Sequence, residues 1–229
     1  MPRYARQIGR QTMNQAGILV AIQVGGIAPL GPDAVPSGFV KRAVRRPVAV
    51  GPLGLAGDAQ ADLTVHGGPD KAVYGYAAGH YPHWAQMFPE LADRFGAGSM
   101  GENLTIAGLD EDGLCVGDIH AIGDVLLQVC QPRQPCFKLA LAFGEPRIGQ
   151  AMVRNGLSGW YYRVLREGTI AAGAPINLAG RPNPDSPFSR MIAIANFGKA
   201  SREDLQALAT RPGVAHAIAR RAKATLEAT

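Results

Sequence analysis

Apolar residues in this chain fall into short runs that keep being cut by turn residues. ILVAIQV (18–24), RPVAV (46–50), NLTI (103–106), HAIGDVLLQVC (120–130), GWYYRVLRE (159–167) and PINLAG (175–180) are separated by turns such as Gly113, Gly123–Asp124 and Gly168. Runs of this length bounded by glycine and aspartate read as β-strands. The chain also carries 29 glycines and 17 prolines in 229 residues, a punctuation that suits an antiparallel, barrel-like β-domain better than a helical bundle.

Two stretches interrupt the strand pattern with helical spacing. Tyr81, Trp84, Phe88, Leu91 and Phe95 recur on one helix face, with Pro89 as a break. RIGQAMVRN (147–155) reads as a second short helix ending at Gly156. At RPNPDSPFSR (181–190) the composition turns into a proline-rich linker, and beyond it the pattern is helical. Ser201 and Asp204 resemble a helix-start signal, and Pro212 suits a helix's first turn. Val214, Ile218, Ala222 and Leu226 follow at spacing four. About 40 residues of short helices are too few to hold a core alone. The expected division is therefore residues 1–183 as the β-domain and 184–229 as a helical piece packed against it. Met13 is an alternative start.

The net charge of +5 allows an anionic ligand, but the basic residues are scattered, apart from KRAVRR (41–46) and RRAK (220–223). Neither run has interleaved aromatics, so nucleic acid is not the expected partner. Cys115, Cys130 and Cys136 fit neither a disulfide framework nor a CxxC zinc pattern and match a reduced, cytoplasmic compartment. Arg3, Arg6 and Arg10 before AGILVAIQVGGIA have the look of a secretory signal. Gln23 interrupts that apolar stretch, however, and a first strand is the better reading. The stretch is also too short to span a bilayer.

Three stretches hold residues suited to chemistry. In QPRQPCFKL (131–139) the prolines Pro132 and Pro135 hold Cys136 in an extended or turn segment. Arg133 and Lys138 flank the thiol and favour its thiolate, the form that acts as nucleophile or metal ligand. The plainer reading of Cys136 is a small buried hydrophobe at a strand end. In GDAQADLTVHGGPDKAVYGY (57–76), His66 is followed by Gly67 and Gly68, and a strand resumes near Lys71. The glycines let backbone approach a ligand closely, and the histidine can donate a proton there, or all three serve only a turn. In MGENLTI (100–106), Glu102 and Asn103 read as turn residues whose side chains satisfy backbone groups. His80 and His83, three apart, could begin a metal site but have no third ligand, and solvated or locally bonded histidines are the better reading.

The order and spacing of GDAQADLTVHGGPDKAV, HYPHW, GENLTIAGL, GDIHAIGDVLLQVCQPRQPCFKL, GLSGWYYRVLREG and SRMIAIANF resemble one family across residues 17–228. That family is the MOSC domain (molybdenum cofactor sulfurase C-terminal domain), of the YiiM type associated with resistance to 6-N-hydroxylaminopurine. The resemblance implies a mainly β fold: a MOSC β-barrel with short helical inserts, followed by a small three-helix C-terminal domain. It implies that Cys136 binds the molybdenum cofactor, a molybdopterin, as a soft thiolate ligand. The cofactor's phosphate would pair with Arg133, Lys138 or Lys71. His66 carries over as a pocket residue suited to proton delivery, with Gly67 and Gly68 leaving space beside it. Asn103 carries over as a motif match that orients cofactor or loop. Cys130 stands where the family often has a hydroxyl residue.

The activity implied is reduction of N-hydroxylated compounds such as N-hydroxylated purines, a detoxification. No flavin, nicotinamide or iron–sulfur motif is visible, so a flavoprotein reductase is the implied electron donor. Neither a specific nucleic acid nor a membrane is an expected partner, and a homodimer is an open assembly. The rival readings are a sulfur carrier with a persulfide on Cys136 and a cofactor-binding module without turnover.

Overall fold

The computed structural model describes residues 14–62 and 67–228. Its strands are β1 (Asn14–Val24), β2 (Ala28–Leu30), β3 (Val35–Ser37), β4 (Arg42–Ala43), β5 (Val48–Gly51), β6 (Gly54–Leu55), β7 (Val73–Ala77), β8 (Leu104–Ala107), β9 (Ile119–Ile122), β10 (Val125–Pro132), β11 (Trp160–Arg166), β12 (Gly168–Ile170) and β13 (Pro175–Gly180). The α-helices are α1 (Tyr81–Met87), α2 (Phe137–Phe143), α3 (Arg147–Asn155), α4 (Phe188–Phe197), α5 (Arg202–Thr210) and α6 (His216–Glu227).

Seven strands close a barrel in the order β13-β9-β10-β11-β7-β8-β1, and β1 completes the ring by pairing with β13. β1 does this because it serves two neighbours in succession. Asn14–Ile18 pairs with β13, and Ile18–Ile22 pairs with β8. Irregularities at Gln15/Gly17 and Leu19/Ala21 bend the strand between them, as bulges do. Gly123–Asp124 makes the two-residue turn of the β9–β10 hairpin, with Gly123 at φ 56°. One pair departs from the antiparallel expectation, since β7 and β8 run parallel. A parallel pair needs a crossover, and the helical insert beginning at α1 supplies it. α1 ends before Pro89, and a 3-10 segment over Pro89–Arg94 continues the turn.

Alternation along the strands separates two apolar clusters. Val73 and Ala77 of β7 and Trp160 and Tyr162 of β11 enter the barrel with Leu19, Ile22, Leu104, Ile106, Leu127 and Val129. Tyr74 and Tyr76 belong to an outer cluster with Trp84, Phe88, Leu139, Phe143 and Met152, and Tyr161 packs against it. This outer cluster is roofed by α1, α2 and α3. Each large apolar side chain so buried contributes about 1.5–3 kcal/mol, more than the roughly 1 kcal/mol net of a ladder hydrogen bond. The two clusters therefore dominate the stability of the fold.

α3 spans the nine residues expected and stops where Gly156 takes the left-handed conformation, φ 71°. α2 was not among the expected elements. Its sequence signal is FKLALAF followed by Gly144, which is also left-handed at φ 66°.

The segment before the C-terminal helices is shorter and better anchored than a linker. Asn183 is buried, and its side-chain amide donates to the carbonyls of Val116 and Pro212. Residues 188–190, read as linker, already belong to α4. α5 opens with a reciprocal capping box between Ser201 and Asp204. Pro212 lies in the turn ahead of α6, whose first residue is His216, so it does not occupy the helix's first turn. Phe188, Met191, Ile192, Leu208, Val214 and Ala222 join the barrel's own cluster, with Ile218 and Leu226 packed against it. Among the described residues no helix is long and apolar enough to cross a membrane.

Candidate functional site

β10 runs out at Pro132, and the chain turns over the outer cluster before α2 begins. Cys136 is the residue just before that helix, with extended backbone at φ −114° and ψ 169°. That extended backbone is the ordinary one for a residue capping a helix N-terminus, and the thiol is partly exposed. It lines an open cleft whose walls come from six separate stretches, around residues 37–41, 58–61, 71–74, 100–103 and 133–138, and at Tyr161. Gly38 lets two of these walls meet, because a Cβ there would lie 1.9 Å from the Ala59 carbonyl oxygen.

The cleft brings together Cys136, Arg133, Lys138, Lys71 and Asn103. Gly67 and Gly68 are not among its lining residues. Gly68 has φ 93° and open space where a Cβ would stand, so backbone angle rather than close approach demands glycine there. His66 lies outside the described residues. Lys71 is not yet in a strand, since Pro69–Lys71 form a 3-10 turn and β7 starts at Val73.

Charge is distributed unevenly in this cleft. Among the described residues that line it, Lys41, Lys71, Arg133 and Lys138 stand with one carboxylate, Asp58. Asp58 is already engaged in a buried ion pair with Lys41 and accepts a hydrogen bond from the Gly25 amide at 3.0 Å. Arg133 is 5% exposed. Its guanidinium lies over the rings of Phe39 (5.8 Å) and Tyr74 (5.4 Å) and contacts the Met152 sulfur at 3.4 Å. No carboxylate pairs with it among the described residues. Ring faces attract a cation but do not neutralise it. Burial brings the Lys71 ammonium below its ordinary value, with Cys130 acting the other way. Lys138 donates to the Pro36 carbonyl at 3.1 Å. Burial raises the phenols of Tyr74 and Tyr161, which keeps these wall residues neutral.

Asn103 shapes the wall. Its side-chain oxygen accepts from the Tyr74 amide at 3.0 Å, and its nitrogen donates to the Gln23 carbonyl at 3.3 Å. Glu102, fully buried, accepts from the amides of Gly98 and Met100 and the hydroxyls of Thr105 and Tyr81. Both behave as the turn residues that the local sequence suggests. Sequence reasoning missed Lys41, Asp58, Phe39 and Tyr161. Lys41 is the first residue of the KRAVRR run and Asp58 belongs to the GDAQ stretch, but nothing local links the two.

Of the remaining candidates, His80 and Cys130 have structural partners. His80 Nε2 lies 2.5 Å from a Glu111 carboxylate oxygen, both residues are buried, and the other Glu111 oxygen accepts from the Gly159 amide at 2.6 Å. His83 is exposed, and no group of three or more metal-ligating side chains occurs among the described residues. Cys130 is buried and donates to the carbonyls of Asp70 (3.0 Å) and Tyr161 (3.3 Å). Burial pushes its thiol far up, and Cys115 is raised for the same reason.

The MOSC domain family matches residues 62–177, which hold most of the cleft's walls and Cys136 itself. The chain belongs to the MOSC family. Protein YiiM of Escherichia coli is 38% identical over 191 residues, covering 76% of this chain and 85% of YiiM. The crystal structure of YiiM from Geobacillus stearothermophilus superposes with a TM-score of 0.76 at 33% identity, covering 92% of this chain and 99% of that one. A reductase of Gibberella moniliformis is 39% identical over 171 residues, which cover 73% of this chain and only 30% of the reductase. The closed barrel with its helical roof is therefore the MOSC fold of the YiiM type, and Cys136 lies in a cleft outside the MOSC barrel, against its helical roof.

Proposed function

We propose that this MOSC protein is a molybdenum-cofactor-dependent reductase of N-hydroxylated compounds, with N-hydroxylated purines such as 6-N-hydroxylaminopurine as the substrate class. The observation that carries this reading is one cleft holding a partly exposed thiol beside an excess of cations. That donor set fits a molybdopterin. Cys136 offers soft sulfur ligation, and Arg133, Lys71 and Lys138 offer positive charge to a phosphate. When bound, the molybdenum–pterin group supplies the two-electron chemistry. The overall change converts N–OH to N–H plus water, consuming two electrons and two protons.

The chain's own residues bind, orient and shape. Asn103 fixes the wall between β7 and β1, and the neutral rings of Tyr74, Phe39 and Tyr161 give planar surface to a purine or pterin. His66 stands in this reading as the proton donor, and a flavoprotein reductase as the electron source. The resemblance of this chain to part of a larger protein named a reductase agrees with a reductive activity.

Metal and pterin analysis after expression in a cofactor-competent host, followed by reduction of an N-hydroxylated purine with a chemical donor, tests the reading. Cys136→Ser should lose molybdenum or turnover, because a hydroxyl is a far poorer soft-metal ligand. His66→Ala should keep metal and pterin while reduction slows by roughly two to four orders of magnitude. Wild-type molybdenum and turnover in Cys136→Ser would sink the proposal. Cyanide-labile sulfur without metal would favour a sulfur carrier instead.

A further inference from the structure

The turn that presents Lys71 to the cleft is fastened from outside the barrel. Asp70, in the middle of that turn, does not line the cleft. One of its carboxylate oxygens accepts from Arg163 Nε at 2.7 Å. The other accepts from the backbone amide of His216 at 2.6 Å and lies 3.0 Å from His216 Nδ1. The Asp70 carbonyl accepts from Gln131 Nε2 (2.9 Å) and from the Cys130 thiol (3.0 Å). Arg163 in turn donates to the Val214 carbonyl at 3.4 Å, and the Ala215 amide donates to the Cys130 carbonyl at 3.1 Å. A second tie runs nearby, from Gln134 beside the thiol to Asn196 of α4 at 3.0 Å.

We infer that Asp70 is a positioning residue: by fastening the Gly67–Lys71 turn to the first residue of α6, it fixes where Lys71 enters the cleft and makes the C-terminal helices part of the site's frame. The inference rests on the reading of the Cys136 cleft as the working site. Charge-assisted bonds of this kind are about twice as strong as neutral ones, and here several converge on one carboxylate. Partial burial would raise the carboxyl, yet the His216 amide and Arg163 bring it below its ordinary value, so it stays ionised at neutral pH. Its nearest titratable neighbours are Arg163, His216, Cys130 and Lys71.

Two variants of the full chain test this. Asp70→Ala removes the carboxylate. His216→Pro leaves it in place but deletes the amide donor and the imidazole. Proline suits a helix's first position, and Ala215 already has φ −58° and ψ 137°, the backbone favoured before a proline. In both variants Lys71 should be acylated by an amine-reactive reagent about tenfold faster or more, matching the loss of a hydrogen bond to a charged group. Amide exchange across residues 67–72 should quicken with it. Molybdenum per chain should fall, while turnover per bound molybdenum stays within about twofold, a split that a catalytic role would not give. Unchanged Lys71 acylation and unchanged exchange over 67–72 in folded His216→Pro protein would overturn the inference, even if Asp70→Ala fails to fold. The acylation and exchange arms need no cofactor. Failure of the Cys136 reading, seen as wild-type molybdenum in Cys136→Ser, is therefore read separately from failure of the Asp70 clamp.

Discussion

The Cys136 cleft and the cleft beneath the C-terminal helices handle charge in opposite ways. In the second, Arg190 grips Asp204 through two nitrogens, and Arg211 grips Asp185 in the same manner, above a floor of Met191, Ile194, Leu208 and Val214. Its arginines are answered by the protein itself. In the first, Arg133 is buried more deeply than either and, among the described residues, has aromatic rings and a sulfur around it instead of a carboxylate. An uncompensated buried cation is costly, which is the physical reason the proposed reading assigns an anionic ligand to this cleft. A self-neutralised cleft braces helices, whereas the cationic one is where the proposed reading seats its ligand.

The cysteines beside the two clefts give the largest contrast. Cys136 is partly exposed, whereas Cys115 is buried against Pro187 of the second cleft and Cys130 is buried against Asp70. Burial raises both Cys115 and Cys130 above their ordinary values. Limited alkylation of cofactor-free protein at neutral pH, mapped by mass spectrometry, should label Cys136 about 10²-fold or more ahead of Cys130, since only the thiolate reacts. Preferential labelling of Cys115 or Cys130 breaks the contrast.

Arg133→Met tests the charge argument from both sides. The unliganded variant should gain about 1–3 kcal/mol in a urea titration, because an apolar side chain of similar volume replaces a buried charge. Bound molybdenum cofactor should fall by about one to two orders of magnitude, in line with loss of a charge-assisted contact. A variant that is less stable and binds cofactor normally would make Arg133 a structural residue.

Acid sensitivity should come from the barrel rather than from either cleft. His120 is buried, its Nδ1 is 2.7 Å from the Tyr162 hydroxyl, and burial lowers it from 6.5 to about 4. The unfolded chain therefore binds a proton that the folded chain refuses, and stability falls as pH drops below 6.5, levelling off near 4. Between pH 7 and 5 the loss should be about 2 kcal/mol, and His120→Asn should abolish that slope. Asp185 and Asp204 of the second cleft are held low by Arg211 and Arg190. Their contribution is present above the ordinary carboxylate range and is lost only as pH falls through their lowered values. A slope that survives in His120→Asn would place the acid response elsewhere. The smallest effect is expected from Asp185→Asn, which should leave molybdenum content and turnover at the wild-type level and barely move the urea midpoint.

Much of the barrel was legible because strands, hairpin turns and caps are local. The Gly123–Asp124 hairpin, the stop of α3 at Gly156 and the capping box at Ser201 each depend on a few adjacent residues. The parallel β7–β8 pair was not, since direction of pairing depends on how the insert over residues 78–103 folds back. α2 was hidden because Pro132 and Pro135 dominate the reading of that stretch and FKLALAF is short enough to pass for a strand end. The extended backbone of Cys136 agrees with the extended or turn segment expected there, and its place as the residue capping α2 accounts for it. The neighbours Lys41, Asp58, Phe39 and Tyr161 were not legible, because they come from stretches that meet only across the outer face of the barrel.

The sequence by itself determined the apolar periodicities, the turn glycines and the supply of one thiol among cations, all of which follow from backbone sterics and side-chain chemistry at neighbouring positions. The tertiary structure decided which charges are answered. Asp58 meets Lys41 and Asp70 meets Arg163 and the start of α6, while Arg133 is left between rings. Whether a charge is neutralised depends on distances of a few ångströms between groups far apart in the chain, and in a low-dielectric interior those distances set the energy.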